Sequence, residues 1–245
     1  VYNAIVWQDR RTSAYCSEIS TDSNQSLVKQ KTGLLIDSYF SATKIKWILD
    51  NVNGARAKAE AGQLCFGTVD TYLMYRLSSG SIFKTDITNA SRTMLFNINT
   101  LTWDEELLKL FDIPKNLLPE VLHSDSCFGS LSELGDISIH AVLGDQQAAL
   151  FGQGCLEKGQ LKSTYGTGCF VMSNVGDKPI HSDDGLLTTI GFSVHGKVSY
   201  AIEGSIYASG TTVQWLRDNL QFFDKSDQSE IYLNEDGNAS SVLFI

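Results

Sequence analysis

An aspartate follows an apolar run near the middle of the chain. Residues 139–143 are mostly apolar, Gly144 follows them, and Asp145 then begins a segment with helical patterning. Ligands of open α/β sheets bind at the carboxyl ends of strands, where a carboxylate can accept a proton from a substrate hydroxyl. An aspartate that only caps a helix gives the same pattern. The residues alone therefore leave a general base and a helix cap as alternatives for Asp145.

A second candidate site is the Gly166-Thr167-Gly168 sequence, which separates two strand-like segments. Glycine permits a left-handed backbone and close approach, so the amides and the Thr167 hydroxyl are suited to binding a phosphate. An ordinary hairpin turn uses glycine in the same way. No Gly-Lys-Ser/Thr sequence occurs in the chain, and this excludes a Walker-type phosphate loop.

Aromatic residues form the third set of candidates. Trp7 ends an apolar, strand-like segment and is followed by polar residues, and Tyr39 precedes a predicted helix. Such rings either pack on the carbon skeleton of a substrate or belong to the core. Residues 210–218 are patterned as a helix whose first turn would meet a phosphate or a base. The alternative is a helix that only packs through its apolar side chains.

Helices and strands alternate around these residues, which predicts the α/β class. The apolar periodicity predicts helices at 41–53, 67–77, 103–111, 146–154 and 209–222. Alternating or β-branched runs predict strands at 1–7, 81–87, 91–98, 137–143, 160–165, 169–174, 186–194 and 197–203. Thr102, three residues before Glu105, is the predicted N-cap of the helix at 103–111.

The change from mixed elements to consecutive strands predicts two domains, at 1–155 and 160–245. The chain begins with apolar residues at Val1 and finishes with the apolar run 242–245. Natural domains rarely begin or end inside segments of this type, because such segments need neighbours to cover them. We therefore expect the chain to be a fragment of a longer protein.

The amino-acid composition excludes some classes of function. The 245 residues carry 19 Lys and Arg against 28 Asp and Glu, a net charge of −9. General nucleic-acid binding needs clustered positive charge and is not expected. No apolar run approaches the ~18 residues of a membrane span. The five cysteines include no Cys-x-x-Cys pair, which favours reduced thiols in a soluble cytoplasmic protein.

Eight short sequences together resemble the glycerol kinases of the FGGY carbohydrate kinase family. They occur in the family's order and spacing over nearly the whole chain, at 4–12, 39–44, 66–71, 88–98, 144–149, 164–170, 185–190 and 214–218. Sugar kinases of the same superfamily share the Gly-Asp-Gln and Gly-Thr-Gly sequences, but not the run at 88–98 in this form. The resemblance is therefore specific.

The resemblance implies an actin-like, ribonuclease-H-like fold with most of a first domain and the start of a second. It implies phosphorylation of glycerol by ATP, with Mg²⁺, to give sn-glycerol 3-phosphate. Asp145 would be the general base. The implied glycerol ligands are Trp7, Tyr39, Asp145, Gln146 and Phe170. The implied ATP ligands are Gly166, Thr167 and Gly168 at the phosphates, with Gly210 and Gln214 at the nucleotide.

Three of the family's binding segments have no counterpart in these residues. They are the first phosphate loop, the Arg-Glu pair that holds glycerol, and the adenosine segment. We therefore expect residues 1–245 alone to be inactive. An inactive fragment that serves as an interaction module and a related carbohydrate kinase stay open as alternatives, and a homo-oligomer is compatible with the sequence.

Overall fold

The computed structural model describes residues 2–232. In that part of the chain the helices are α1 Ser13–Ile19, α2 Asp22–Thr32, α3 Ser41–Asn51, α4 Ala55–Glu60, α5 Val69–Leu77, α6 Ile87–Ala90, α7 Glu105–Leu110, α8 Asp145–Gly152 and α9 Gly210–Asp218. The strands are β1 Lys84–Asp86, β2 Phe96–Asn97, β3 Thr102–Trp103, β4 Glu120–Leu122, β5 Gly129–Leu131, β6 Ile137–Ile139, β7 Leu161–Tyr165, β8 Cys169–Gly176, β9 Leu187–Val194 and β10 Lys197–Ile206.

The predicted helix at 41–53 is confirmed as α3. Its apolar side chains at Ala42, Ile45 and Leu49 are buried on one face, as the helical spacing requires. The helix ends two residues earlier than predicted, because Val52 has an extended backbone. Tyr39 packs against the buried cluster to which these side chains belong.

Helix α2 was missed, because its sequence is polar and offers little periodicity. Its end signals are nevertheless present in the chain. The Thr21 side chain accepts a hydrogen bond from the Asn24 amide, and Gly33 closes the helix in the left-handed conformation. A polar helix of this kind is identified by its caps rather than by an apolar stripe.

The predicted N-cap at Thr102 is wrong. Helix α7 begins at Glu105, and the Asp104 carboxylate accepts hydrogen bonds from the amides of Glu106 and Leu107 at 3.0 and 3.2 Å. Thr102 lies in β3, which pairs with β2. An ionised carboxylate at this position also complements the positive end of the helix dipole.

The predicted strand at 1–7 is also wrong for residues 2–7, which form no strand. A strand needs a hydrogen-bonded neighbour, and none of the described strands pairs with this segment. The predicted strand at 91–98 is reduced to β2, because Ser91 and Thr93 close turns on Ile87 and Ala90. The predicted strand at 137–143 ends early, at Ile139.

The largest sheet has the strand order β7-β8-β10-β9. Strands β9 and β10 are antiparallel, with Val194 opposite Lys197. His195 and Gly196 form the two-residue turn between them, and both have positive φ, at 51° and 73°. This is the backbone that tight hairpin turns need to match the twist of the strands.

The chain divides into two compact units. Among the described residues, the first contains 2–162 and 172–204, and the second contains 163–171 and 205–232. The domain boundaries that we predict, 1–155 and 160–245, stay a prediction. No helix among residues 2–232 is both long enough and apolar enough to cross a bilayer.

Buried residues of the first unit form several clusters, and one of them joins α6 to β9 and β10. Its members include Ile87, Phe96, Ile98, Ile190 and Tyr200. The Tyr200 hydroxyl donates to the Ile98 carbonyl at 2.7 Å, so the buried phenol is satisfied. This packing fixes the run at 88–98 against the sheet.

Candidate active site

Asp145 is the first residue of α8, and Gly144 occupies the N-cap position. The Asp145 side chain is exposed, and among residues 2–232 its Oδ1 atom accepts one hydrogen bond, from the Gln146 amide at 2.7 Å. Asp145 is therefore not the cap residue that the alternative reading requires. Its carboxylate is open to accept a proton from a bound hydroxyl.

The start of α8 is held by buried polar groups. The Gly144 amide donates to Thr88 Oγ1 at 2.9 Å, and the Thr88 hydroxyl in turn contacts the fully buried carboxylate of Asp86. A Cβ atom at Gly144 would lie 2.7 Å from Gln147 Oε1. A side chain at residue 144 would therefore have to displace the end of the flexible Gln147 side chain.

Tyr39 and Trp7 lie side by side in the first unit. Their ring centroids are 5.7 Å apart at an interplanar angle of 66°. This is the edge-to-face arrangement that aromatic pairs prefer. Burial raises the pKa of the Tyr39 phenol, the Arg92 guanidinium opposes that rise, and the negative charges of Glu203 and, last, Asp145 add to it. A joint role of the Tyr39 phenol and the Asp145 carboxylate as ligands of one substrate stays a prediction.

Arg92 also belongs to this region, although the sequence motifs give it no role. Its guanidinium lies 5.7 Å from the Tyr39 ring centroid and 5.3 Å from that of Phe40. It also pairs with Glu203 at 2.9 Å, where the Glu203 side chain is 1% exposed. Burial opposes the charge of Arg92, but Glu203 and Tyr39 outweigh it, so its pKa is raised.

A fully buried lysine completes the polar groups of the first unit. Lys162, in β7, is 1% exposed and donates from Nζ to Gln146 Oε1. Burial lowers the pKa of Lys162, and the negative charges of Glu203 and Asp145 oppose that effect. Lys162 and Glu203 were both missed. The signal was available, since each is a charged residue within a strand-like segment.

The Gly166-Thr167-Gly168 turn belongs to the second unit, and Thr167 is exposed. Neither glycine has a positive φ, so the left-handed backbone expected from the sequence is wrong for this turn. Gly168 is required because the backbone of another segment approaches it closely. A Cβ atom there would lie 2.6 Å from the Ile206 carbonyl oxygen. Gly166 has room for a side chain, with no atom nearer than 3.8 Å.

Helix α9 is tied to this turn by its first amides. The Ser209 amide donates to the Thr167 carbonyl at 2.9 Å, and the Gly210 amide donates to the Gly166 carbonyl at 3.0 Å. A Cβ atom at Gly210 would lie 2.6 Å from that same Gly166 oxygen. These amides are thus engaged by the protein rather than directed at a phosphate.

The remaining predicted ligands also lie in the second unit. Gln214 is exposed on α9, one turn after Gly210. Phe170 is buried in β8, and its ring lies 3.1 Å from the position of a Cβ at Gly168. The roles of Phe170 at glycerol and of Gln214 at the nucleotide stay predictions.

Comparison with known proteins decides the family. The model for the N-terminal domain of the FGGY family of carbohydrate kinases matches residues 1–152, and the model for the C-terminal domain matches residues 161–242. The chain belongs to the FGGY family of carbohydrate kinases. The predicted resemblance is thereby confirmed, and the candidate residues described above lie within the two matched segments.

FGGY kinases from several bacteria are close in sequence to this chain. It is 58% identical to the glycerol kinase of Alteromonas mediterranea over 234 residues, covering 94% of this chain and 47% of that protein. It is 51% identical to the glycerol kinase of Natranaerobius thermophilus over 249 residues, covering 100% and 50%. The chain thus spans about half the length of the relatives that it matches.

Solved FGGY structures share the fold. The crystal structure of Plasmodium falciparum glycerol kinase with ADP superposes with a TM-score of 0.86 at 40% identity, covering 94% of this chain and 47% of that one. A gluconate kinase from Lactobacillus acidophilus superposes with a TM-score of 0.79 at 20% identity, over 95% of this chain and 47% of its own. The second likeness concerns the fold alone. The predicted actin-like, ribonuclease-H-like α/β fold is confirmed.

Proposed function

We propose that the full-length product of the reading frame that encodes this chain phosphorylates glycerol with ATP, giving sn-glycerol 3-phosphate and ADP. The observation that carries the proposal is the identity of 51–58% to proteins named glycerol kinase over 94–100% of the chain. The exposed Asp145 carboxylate, in the same compact unit as Trp7 and Tyr39, supports it from the structure.

The chemistry that we assign to Asp145 is proton removal. Its carboxylate accepts the proton of one glycerol hydroxyl, and that oxygen forms a bond to the γ-phosphorus of ATP. The bond from the γ-phosphorus to the β–γ bridging oxygen breaks, and ADP leaves with the electron pair. Because phosphoryl transfer depends mainly on position and charge, we assign Trp7, Tyr39, Gln146 and Phe170 to holding the polyol.

The nucleotide is assigned to the second unit. The exposed hydroxyl and the backbone at Thr167 are suited to the phosphates, with Gly166 and Gly168 allowing close approach. Gly210 and Gln214 are assigned to the rest of the nucleotide. The hydrogen bonds from the Ser209 and Gly210 amides to this turn join the start of α9 to it, which supports a single ATP-binding surface.

Mg²⁺ accompanies ATP in reactions of this class. Among residues 2–232, no group of three or more His, Cys, Asp or Glu side chains is placed to hold a metal ion. The described residues therefore do not form a metal site of their own, and we derive no step through the ion. We place the reaction in the cytoplasm, where ATP is supplied, and a homo-oligomer stays compatible with the proposal.

A coupled assay of ADP release tests the function. The full-length product is incubated with Mg-ATP and, separately, glycerol, xylulose and gluconate, and the Asp145→Asn variant serves as the inactive control. We expect ADP release to depend on glycerol and to be lost in the variant. A preference for xylulose or gluconate would instead establish a related carbohydrate kinase, and no turnover with any of them would favour an interaction module.

A further inference from the structure

Lys162 is an ammonium group placed where water does not reach it. Its side chain is 1% exposed, and burying an unpaired charge is costly. Three carboxylate or thiol groups face it from its surroundings: Asp145 on α8, Cys155 after α8, and Glu203 on β10. Arg92 shares Glu203, so the two cations of this cluster are balanced by Asp145 and Glu203.

The lysine determines which way the Gln146 amide faces. An ammonium group has three donors and no acceptor, so the Gln146 atom that it contacts must be the carbonyl oxygen. That contact is the hydrogen bond from Lys162 Nζ to Gln146 Oε1. The Nε2 group of Gln146 then points away from Lys162, and it makes no hydrogen bond to any residue in the described range 2–232.

Gln146 therefore presents two N–H donors beside the Asp145 carboxylate, which is an acceptor. Its neighbour Asp145 has an exposed carboxylate, which accepts but does not donate when ionised. A polyol with hydroxyls on adjacent carbons matches this pair, since one hydroxyl donates its proton to Asp145 and the next oxygen accepts from Gln146. If the Gln146 side-chain amide were reversed, its carbonyl oxygen would face the second polyol oxygen. The hydrogen bond from Gln146 to that oxygen would then be lost.

We propose that Lys162 is a positioning residue, which holds the Gln146 amide in the orientation that donates to the polyol. This inference rests on the proposed function of the site. Lys162 acts through Gln146 and does not itself touch the substrate. The effect belongs to binding of the polyol, in the ground state and the transition state alike, and not to binding of ATP.

The test compares Lys162→Met with the wild type in the full-length product, because methionine is similar in length and lacks the donors. We expect KM for glycerol to rise roughly 2- to 10-fold, as for loss of one hydrogen bond, with kcat and KM for ATP little changed. The dissociation constant of glycerol, measured by calorimetry without ATP, should rise by the same factor. Lys162→Arg, which keeps the donors, should restore part of the loss.

A double-mutant cycle separates positioning from a general structural role. In a Gln146→Ala background, Lys162→Met should raise KM for glycerol no further. Equal effects of Lys162→Met with and without Gln146, or a fall in kcat with a rise in KM for ATP, would overturn the inference. If the wild type releases ADP normally with glycerol and Lys162→Met has the same KM for glycerol, the inference is overturned. The proposed function would still stand in that case.

A second measurement requires no change at Lys162 and covers the case in which the methionine variant does not fold. The side-chain amide resonances of Gln146 are identified in isotope-labelled wild type by their loss in Gln146→Ala. We expect glycerol to shift them, because Nε2 donates to it. Resonances that do not move at saturating glycerol would overturn the inference, and a wild type that neither binds nor phosphorylates glycerol would overturn the proposed function itself.

Discussion

Asp145 differs from a helix-capping aspartate in two ways. Its carboxylate is exposed at the first turn of α8, and the glycine before it occupies the cap position. The backbone there is held through Thr88 and Asp86, and the one bond that the Asp145 side chain adds, from the Gln146 amide to Oδ1, uses an oxygen that asparagine also provides. Replacement of the carboxylate is therefore separable from the stability of the fold.

For this reason we expect Asp145→Asn to lower kcat by about 10²–10⁴-fold, the usual contribution of a general base. The thermal midpoint should be unchanged. Steady-state kinetics and a thermal melt of the full-length product measure the two quantities. Glu157→Gln, an exposed carboxylate beyond the end of α8, is the matched control. Near-normal turnover in Asp145→Asn would remove the base assignment.

Lys162 makes the free energy of unfolding depend on pH. Burial lowers its pKa in the folded protein, so at alkaline pH the unfolded chain holds a proton that the folded chain has released. Stability contributed by this residue therefore rises with pH across that window. Urea unfolding should show the wild type gaining on Lys162→Met as the pH rises towards about 10.4, the ordinary pKa of lysine in an unfolded chain. A constant difference between the two proteins would contradict the direction of the shift.

At the scale of elements, the buried Arg92–Glu203 pair links the run at 88–98 to β10. Removing one partner of a buried pair leaves an uncompensated charge. We expect Glu203→Leu to lower the free energy of unfolding by ~3–5 kcal/mol. The double variant Arg92→Met with Glu203→Leu should recover much of that loss in urea titrations, because no charge is left unpaired. An unchanged midpoint in the single variant would show that the pair is dispensable.

The second element-scale prediction concerns the turn at 166–168. A valine at Gly168 would meet the Ile206 backbone and displace the turn. We expect Gly168→Val to raise KM for ATP by about tenfold or more, ~1.4 kcal/mol of lost binding, with a smaller rise in KM for glycerol because the Phe170 ring also lies beside the new side chain. Gly152→Val is the control, since nothing lies within 4 Å of a Cβ there. A selective rise in KM for glycerol would place the turn at the other substrate.

Local signals predicted some of these elements and missed others. The apolar spacing of Ile45 and Leu49 predicted α3, and the glycines predicted the turn at 166–168. The Arg92–Glu203 and Lys162–Gln146 pairs were not predicted, because residues 111 and 16 apart in sequence meet only through the tertiary fold. The strand expected at 1–7 failed for a related reason, since pairing decides whether an apolar segment becomes a strand.

At the scale of the molecule, the chain spans about half the length of the kinases that it matches. Catalysis of this kind closes a site around both substrates, which excludes water and aligns the reacting atoms. We therefore expect residues 1–245 alone to give no measurable glycerol 3-phosphate with Mg-ATP and glycerol. Turnover that disappears in an Asp145→Ala control would contradict this expectation.

The attachment of α9 to the glycine turn has a consequence for hydrogen exchange. Amides at the start of an exposed helix normally exchange quickly, because they lack partners within the helix. Here the amides of Ser209 and Gly210 are bonded to carbonyls some 40 residues earlier in the chain. They exchange only when the turn at Gly166 and Thr167 separates from the helix. Their exchange rate therefore records how often the proposed phosphate-binding turn opens, before any nucleotide is added.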